Sequence, residues 1–240
     1  MNSTRLPEKV MKRIDNKTIL EHIIHQLSNS KFLEKIVIAT SKNKNDDIIK
    51  SHSDKIGIPC FRGKLNDVLS RHYECAKKFS FDTVVRIPSD KPLIDPVLVD
   101  EMIQNFHSRK SDYISNFIYP LKYNVGTEVE IFSFKTLEKA HKNAKKSSDR
   151  EHIFPFFHNN KKFFQIDFVS NMDDIKHLRF VLDRKEDLDL ITKIFSNIKK
   201  RPILKNDILI LYKKHPYLFK INKNLDPNEG QIRSLKNDAK

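Results

Sequence analysis

Apolar positions follow two alternating patterns along the chain. Short runs rich in β-branched and aromatic residues, each bounded by polar residues, predict strands at residues 35–40, 83–87, 112–116, 128–134 and 177–183. Between them, apolar residues recur every three or four positions, as at Ile19, Ile23 and Leu27, and predict amphipathic helices. Strands that alternate with helices indicate a single α/β domain with a mostly parallel sheet flanked by helices.

Polar residues mark where the elements and the domain end. Asp95 followed by Pro96 is typical of the N-cap and the first position of a helix. Near its C-terminus the chain becomes polar, with scattered charges, which is typical of an irregular tail. We therefore expect one domain over residues 1–221 and a polar C-terminal tail over residues 222–240.

Composition narrows the class of protein. With 240 residues, 38% of them hydrophobic, the chain can bury one core of ordinary size. No apolar run approaches the roughly 20 residues of a membrane helix, and we expect a cytoplasmic protein without membrane contact. The net charge of +14 favours polyanions such as nucleotides, nucleic acid or acidic sugars. Because the basic residues are spread along the chain, we expect no specific nucleic-acid partner, and a basic nucleic-acid-binding protein is the lesser alternative.

The four glycines exclude two phosphate-binding motifs. They are too few and too widely spaced for a dinucleotide fingerprint. Gly57 and Gly63 have one residue too many between them for a P-loop, and Leu65 stands where that motif needs Ser or Thr. A bound phosphate would therefore depend on basic side chains and on backbone N–H groups.

The first nine residues, MNSTRLPEK, combine hydroxyl residues with two cations four positions apart. The hydroxyls of Ser3 and Thr4, with the cations of Arg5 and Lys9, are suited to hold a triphosphate. Taken alone, such a stretch is more often a frayed basic terminus. It resembles, however, the S-T-R-L-P-x-K loop of the cytidylyltransferases that make CMP-activated acidic sugars. These include the Kdo and acylneuraminate enzymes and their spore-coat-polysaccharide-type relatives.

Similarity to this family continues in order along almost the whole chain. It is carried by residues 35–41, 57–71, 86–96, 124–134, 148–152, 179–188 and 228–235. The resemblance implies a Rossmann-like sheet of the nucleotide-diphospho-sugar transferase type. It also implies transfer of a cytidylyl group from CTP to an acidic sugar, which gives a CMP-sugar and pyrophosphate for surface polysaccharide or glycan synthesis. Similar enzymes often form homodimers, so a homodimer is expected.

Two carboxylates follow predicted strands. Asp90 and Asp183 would both emerge at the carboxyl edge of a parallel sheet, where such folds bind ligands. Taken alone, each is equally suited to cap a turn or a helix. The resemblance implies that both bind Mg²⁺, for which carboxylate oxygens are suitable ligands, and that Arg5 and Lys9 contact the β- and γ-phosphates.

The resemblance also implies the remaining site residues. It places nucleotide contacts at Ser3, Thr4, Thr40, Arg62 and Asp67, and sugar contacts at Gly126, Glu128 and Arg150. Simpler interpretations stay open for three of them. They are a solvated loop charge for Arg62, a first-turn helix residue for Asp67, and a surface ion pair with Glu151 for Arg150.

The chain also departs from the family. The resemblance implies a strand and a Q-A-R segment immediately before Met1, and this strand would be central in the sheet. Without it, the strands on either side would have unpaired edges and the core would have an open slot. We expect a truncated reading of a longer enzyme, with an inactive or regulatory homologue as the alternative. Two smaller departures affect the expected turnover: Lys91 replaces a small residue, and Glu8 replaces a glycine.

Overall fold

The computed structural model describes residues 5–116, 125–170 and 177–225. Its α-helices in these ranges are α1 (Ile19–Leu27), α2 (Asp47–Lys55), α3 (Val68–Lys78), α4 (Pro96–Arg109), α5 (Phe134–Asn143), α6 (Ser147–His152), α7 (Phe154–Asn159), α8 (Lys185–Asn197) and α9 (Lys205–Lys214). Its strands are β1 (Arg13–Ile14), β2 (Lys17–Thr18), β3 (Ile38–Ser41), β4 (Cys60–Gly63), β5 (Thr83–Arg86), β6 (Tyr113–Ser115), β7 (Glu130–Ser133) and β8 (Ile166–Phe168). Across these ranges, no helix has the length and apolar character needed to cross a membrane.

The strands form mixed sheets flanked by helices. β5, β7, β6 and β8 are neighbours in that order; β7 runs antiparallel to β5 and to β6, whereas β6 and β8 are parallel. β3 and β4 form a separate parallel pair, and β1 and β2 form a short hairpin. The predicted α/β class is therefore confirmed, and the main sheet is mixed because β7 opposes both of its neighbours.

The strand predicted over residues 177–183 is wrong. The segment makes one isolated bridge, between Arg179 and Val125. Further along, the N–H of Leu182 donates to the carbonyl of Asp90 at 2.8 Å. Because these two partners belong to different loops, the segment pairs with no single strand. Leu178, Phe180 and Leu182 are nevertheless buried, which explains the strand-like pattern.

Alternation along β6 and β7 divides the core into two parts. Ile114 and Ile131 pack on one face with apolar residues of α1, α4 and α8. Tyr113 and Phe132 pack on the other face with residues of α3, α5 and α7, where the ring of Phe157 stacks 4.5 Å from that of Tyr113. This division follows from the period of two in a strand. Each fully buried side chain contributes about 1.5–3 kcal/mol relative to its exposed state.

The helix start predicted at Asp95 and Pro96 is confirmed. Asp95 Oδ1 accepts the N–H of Val97 at 2.8 Å, and Pro96 is the first residue of α4. The other oxygen of Asp95 accepts the N–H of Lys205, also at 2.8 Å, at the start of α9. One carboxylate therefore caps α4 and also binds the first N–H of α9, which joins the starts of the two helices.

A cavity of about 830 Å³ lies between β3 and β5. Its apolar lining includes Leu20, Ile23, Ile36, Ile38, Val84 and Val85, and its polar lining includes Arg71, His72, Arg86 and Asp90. In the described part of the chain, β3 pairs only with β4, and β5 pairs only with β7. Each of the two strands thus has an edge without a strand partner at this cavity, and the expected open slot is present.

Candidate active site

Two cations and two carboxylates meet where the segment after β5 approaches the start of α8. Lys9 Nζ donates to Asp90 Oδ2 at 2.8 Å and to Asp183 Oδ1 at 3.3 Å. Arg5 forms an ion pair with the other oxygen of Asp183. The structure therefore brings together the four residues for which the resemblance implies phosphate and metal contacts.

The pKa values in this cluster show how strongly the opposite charges stabilise one another. Burial alone would lower the pKa of Lys9, but the carboxylates of Asp90 and Asp183 outweigh it and raise that pKa above its ordinary value. Burial alone would raise the pKa of Asp90, but the charges of Lys9 and Lys91 lower it to about 2. At neutral pH, Lys9 and Asp90 are therefore both ionised.

The residues present fit a magnesium ion that is shared with a phosphate. Asp90 and Asp183 each place a carboxylate oxygen within hydrogen-bond distance of the same ammonium, so both oxygens are within reach of one small cation. In the described ranges, no group of three or more His, Cys, Asp or Glu residues could hold a metal. Mg²⁺ commonly binds through one or two carboxylates, with substrate phosphates and water completing its coordination.

Thr40 lies in β3 and Arg62 in β4, and both side chains contact residues at the loop that follows β3. Ser3 and Thr4 lie outside the described residues. The hydroxyl of Thr40 donates to Asp46 at 2.8 Å. Arg62 donates to the carbonyls of Ser41 at 2.8 Å and Asn43 at 2.9 Å. Arg62 also pairs with Asp47. Both predicted nucleotide residues thus shape this loop, and their contacts with a nucleotide stay predictions.

Asp67 and Arg150 contact each other, although the resemblance implies different ligands for them. Asp67 Oδ2 accepts from Arg150 at 2.8 and 3.0 Å. Its other oxygen accepts the N–H of Ser70 at 2.9 Å, so Asp67 caps α3. Arg150 also donates to the carbonyls of His141 and Ala144. The structure thus pairs Arg150 with Asp67, and its role toward a sugar stays a prediction.

Gly126 and Glu128 form a tight turn beside Asp90. Glu128 Oε2 accepts the N–H of Gly126 at 2.9 Å and pairs with Lys91, whose residue surface is only 4% exposed. The unusual Lys91 therefore has a buried partner. Gly126 has φ +103°, and a Cβ there would lie 2.3 Å from the backbone of Phe180. The close approach of the Phe180 backbone thus requires glycine at position 126.

Three cationic or titratable side chains that were not predicted as site residues also line the cavity: Arg71, His72 and Arg86. Arg86 pairs with Glu130, the residue opposite it in the β5–β7 register, and Glu130 also accepts from the hydroxyl of Tyr113 at 2.7 Å. The sequence signal for this ion pair was the glutamate within the otherwise apolar run of β7, because a buried charge needs a partner.

Comparison with known proteins identifies the family of the chain. The chain matches the family described as "Cytidylyltransferase" over residues 1–223. It is 32% identical over 227 residues to an uncharacterized protein of Methanocaldococcus jannaschii, with 93% of this chain and 91% of that protein covered. It is 28% identical over 228 residues to the spore coat polysaccharide biosynthesis protein SpsF of Bacillus subtilis, with 90% and 92% covered.

The structural comparison leads to the same family. A solved cytidylyltransferase from Leptospira borgpetersenii superposes with a TM-score of 0.87 at 29% identity, with 94% of each chain covered. The family match over residues 1–223 includes both of the segments that carry Asp90 and Asp183. The chain therefore belongs to the cytidylyltransferase family and is a nucleotidyltransferase.

Proposed function

We propose that this enzyme transfers the cytidylyl group of CTP to an acidic sugar of the Kdo or sialic-acid type, with Mg²⁺ bound by Asp90 and Asp183. The observation that carries the proposal is the convergence of these two carboxylates with Lys9 and Arg5. Cytidylyl transfer follows from the family. The acidic sugar and the bound Mg²⁺ are the parts of the proposal that the family assignment alone does not give.

In the proposed reaction, the anomeric hydroxyl of the sugar attacks the α-phosphorus of CTP in line. A new P–O bond forms to the sugar, the bond to the β-phosphate breaks, and pyrophosphate leaves while the hydroxyl proton passes to solvent. The protein contributes chiefly position and charge, because phosphoryl transfer of this kind needs little covalent chemistry from side chains.

Each charge in the cluster has a role in this reaction. Lys9 and Arg5 exchange their carboxylate partners for the β- and γ-phosphates when CTP binds, and they stabilise the departing pyrophosphate. Asp90 and Asp183 would hold Mg²⁺, which would neutralise the negative charge that develops on the phosphates. The ion pairs in the structure hold all four groups close together beforehand.

An acidic acceptor is supported by the motifs shared in order with enzymes that activate acidic sugars. It is also supported by the net charge of +14, which favours an anionic acceptor as well as an anionic donor. The name of the Bacillus subtilis relative associates that protein with polysaccharide synthesis. We therefore propose that the CMP-sugar made here is used in surface polysaccharide or glycan synthesis.

Pyrophosphate release tests the proposal. The chain is incubated with CTP and MgCl₂ and with Kdo, N-acetylneuraminate or a neutral hexose. We expect release with a sugar acid and none with the hexose. Asp90→Asn is expected to lower the rate about 100-fold or more. The matched control is Asp54→Asn, because Asp54 is an exposed residue that pairs only with Lys50 in the described contacts. Release with the neutral hexose alone would contradict the acidic acceptor.

A further inference from the structure

Asp187 lies behind the candidate metal ligand Asp183, in the first turn of α8. Its side chain has no solvent exposure, and the reaction proposed above assigns it no role. An ionised carboxylate in such a position is costly unless both oxygens are satisfied. Its partners therefore show what it does.

Both oxygens of Asp187 have several partners. Oδ2 accepts the backbone N–H of Asp183 at 3.0 Å and that of Arg184 at 2.9 Å. Arg179 binds both oxygens, through Nε at 2.9 Å and Nη2 at 3.1 Å. Asn222 Nδ2 donates to Oδ1 at 2.9 Å and to the carbonyl of Arg179 at 3.1 Å. Charge-assisted bonds of this kind are stronger and more directional than neutral ones.

This network fixes the backbone from which the side chain of Asp183 projects. The preceding residue, Leu182, donates its N–H to the carbonyl of Asp90 at 2.8 Å. Asp183 is therefore held on one side by Asp187 and on the other by a backbone bond to the second carboxylate residue. The separation between the two candidate metal ligands depends on both contacts.

We propose that Asp187 is a positioning residue that sets the orientation of Asp183 toward the metal and the triphosphate, with Arg179 and Asn222 holding Asp187 in place. The inference rests on the proposed function, because it assumes that Asp183 binds the metal. Residues that orient metal ligands commonly change metal affinity about 10–100-fold when they are replaced.

A helix cap alone does not need this network. Asp207 occupies the equivalent position in α9 and accepts the N–H of Leu204 at 2.9 Å, as Asp187 accepts that of Arg184. The charged partner of Asp207 is the exposed Lys200. Asp207→Asn is therefore a matched control, with the same substitution at the same helix position but without a contact to Asp183.

The test measures binding of Mn²⁺, used in place of Mg²⁺, by electron paramagnetic resonance with CTP present. We expect Asp187→Asn to weaken Mn²⁺ binding about tenfold or more. Asn222→Ala is expected to weaken it a few-fold, and Asp207→Asn to leave it unchanged. Thermal unfolding of each variant is recorded in parallel. If Asp187→Asn does not fold, Asn222→Ala carries the test, because it removes a single side chain from the network.

Two results would overturn the inference. One is Mn²⁺ binding by Asp187→Asn, or by Asn222→Ala if that variant carries the test, that equals wild-type binding. The other is equal weakening by Asp207→Asn, which would assign the effect to general helix stability. A wild-type chain that binds CTP but takes up no Mn²⁺ would instead refute the metal role of Asp183, and with it both the proposed metal site and this inference.

Discussion

Replacing Gly126 by alanine tests how the turn beside Asp90 is built. The new Cβ would lie 2.3 Å from the carbonyl carbon of Phe180 and 2.3 Å from the nitrogen of Val181. Both are backbone atoms, which cannot rotate away as a side chain could. The backbone at Gly126 also has φ +103°, a conformation that residues with a Cβ rarely adopt.

The magnitude follows from two separate costs. A left-handed conformation costs a residue with a Cβ about 1–2 kcal/mol. Overpacking costs about 1–3 kcal/mol, and we expect the upper end here because the contacts are with backbone. The free energy of unfolding should therefore fall by about 4–5 kcal/mol. For a chain of this size, that lowers the thermal midpoint by about 8–20 °C.

Gly57→Ala is the matched control. Gly57 has φ +71°, and nothing lies within 4 Å of the position its Cβ would take. Only the conformational cost applies, about 1–2 kcal/mol, or about 2–8 °C in the midpoint. Differential scanning calorimetry compares the two variants. Equal midpoints for Gly126→Ala and Gly57→Ala would refute the close approach and leave substrate contact as the reason for glycine at position 126.

Three further variants test the charges around the site. Burial lowers the pKa of His72 to about 3, so the folded chain resists protonation there. The stability that is present above pH 6.5 is therefore lost as the pH falls toward 3. In urea unfolding, His72→Asn should flatten this dependence of stability on pH, by up to about 1.4 kcal/mol per pH unit. Burial alone would raise the pKa of Asp46, but hydrogen bonds from Ser41 and Thr40 help lower it to about 2. Asp46→Asn should lower the free energy of unfolding by about 2 kcal/mol at pH 7, and this effect should diminish as the pH falls from about 4 through 2. Lys9→Met removes the ammonium between two carboxylates and should raise the pKa of Asp90, which carboxyl NMR titration measures; an unchanged pKa would contradict the pairing.

The sequence was informative wherever function depends on local order of residues. The shared motifs indicated the family and identified Asp90, Asp183, Lys9 and Arg5, which the structure brings together. Asp95 was predictable as a cap because a cap and its helix are adjacent in sequence. The edges of β3 and β5 that have no strand partner in the described ranges agree with the open slot expected from the resemblance.

Pairings between distant segments were not predictable in the same way. Arg150 and Asp67 are 83 positions apart, and neither side chain has a local feature that indicates the other. Arg86 meets Glu130 because β5 pairs with β7 and not with the intervening β6, which residue periodicity does not reveal. Periodicity reports burial, as in residues 177–183, without reporting which backbone the segment pairs with.

Nucleotide-dependent stability tests the central claim most directly. The midpoint of thermal unfolding is measured with Mg²⁺ and with CTP, UTP, ATP or GTP in turn, for the wild-type chain and for Asp90→Asn. A ligand that binds only the folded state raises the midpoint, by about 2.7 kcal/mol of added stability at one hundred times its Kd. The account predicts the largest rise with CTP and a much smaller one in Asp90→Asn. A larger rise with another nucleotide, or no rise with any of the four, would contradict a working cytidine site at these carboxylates.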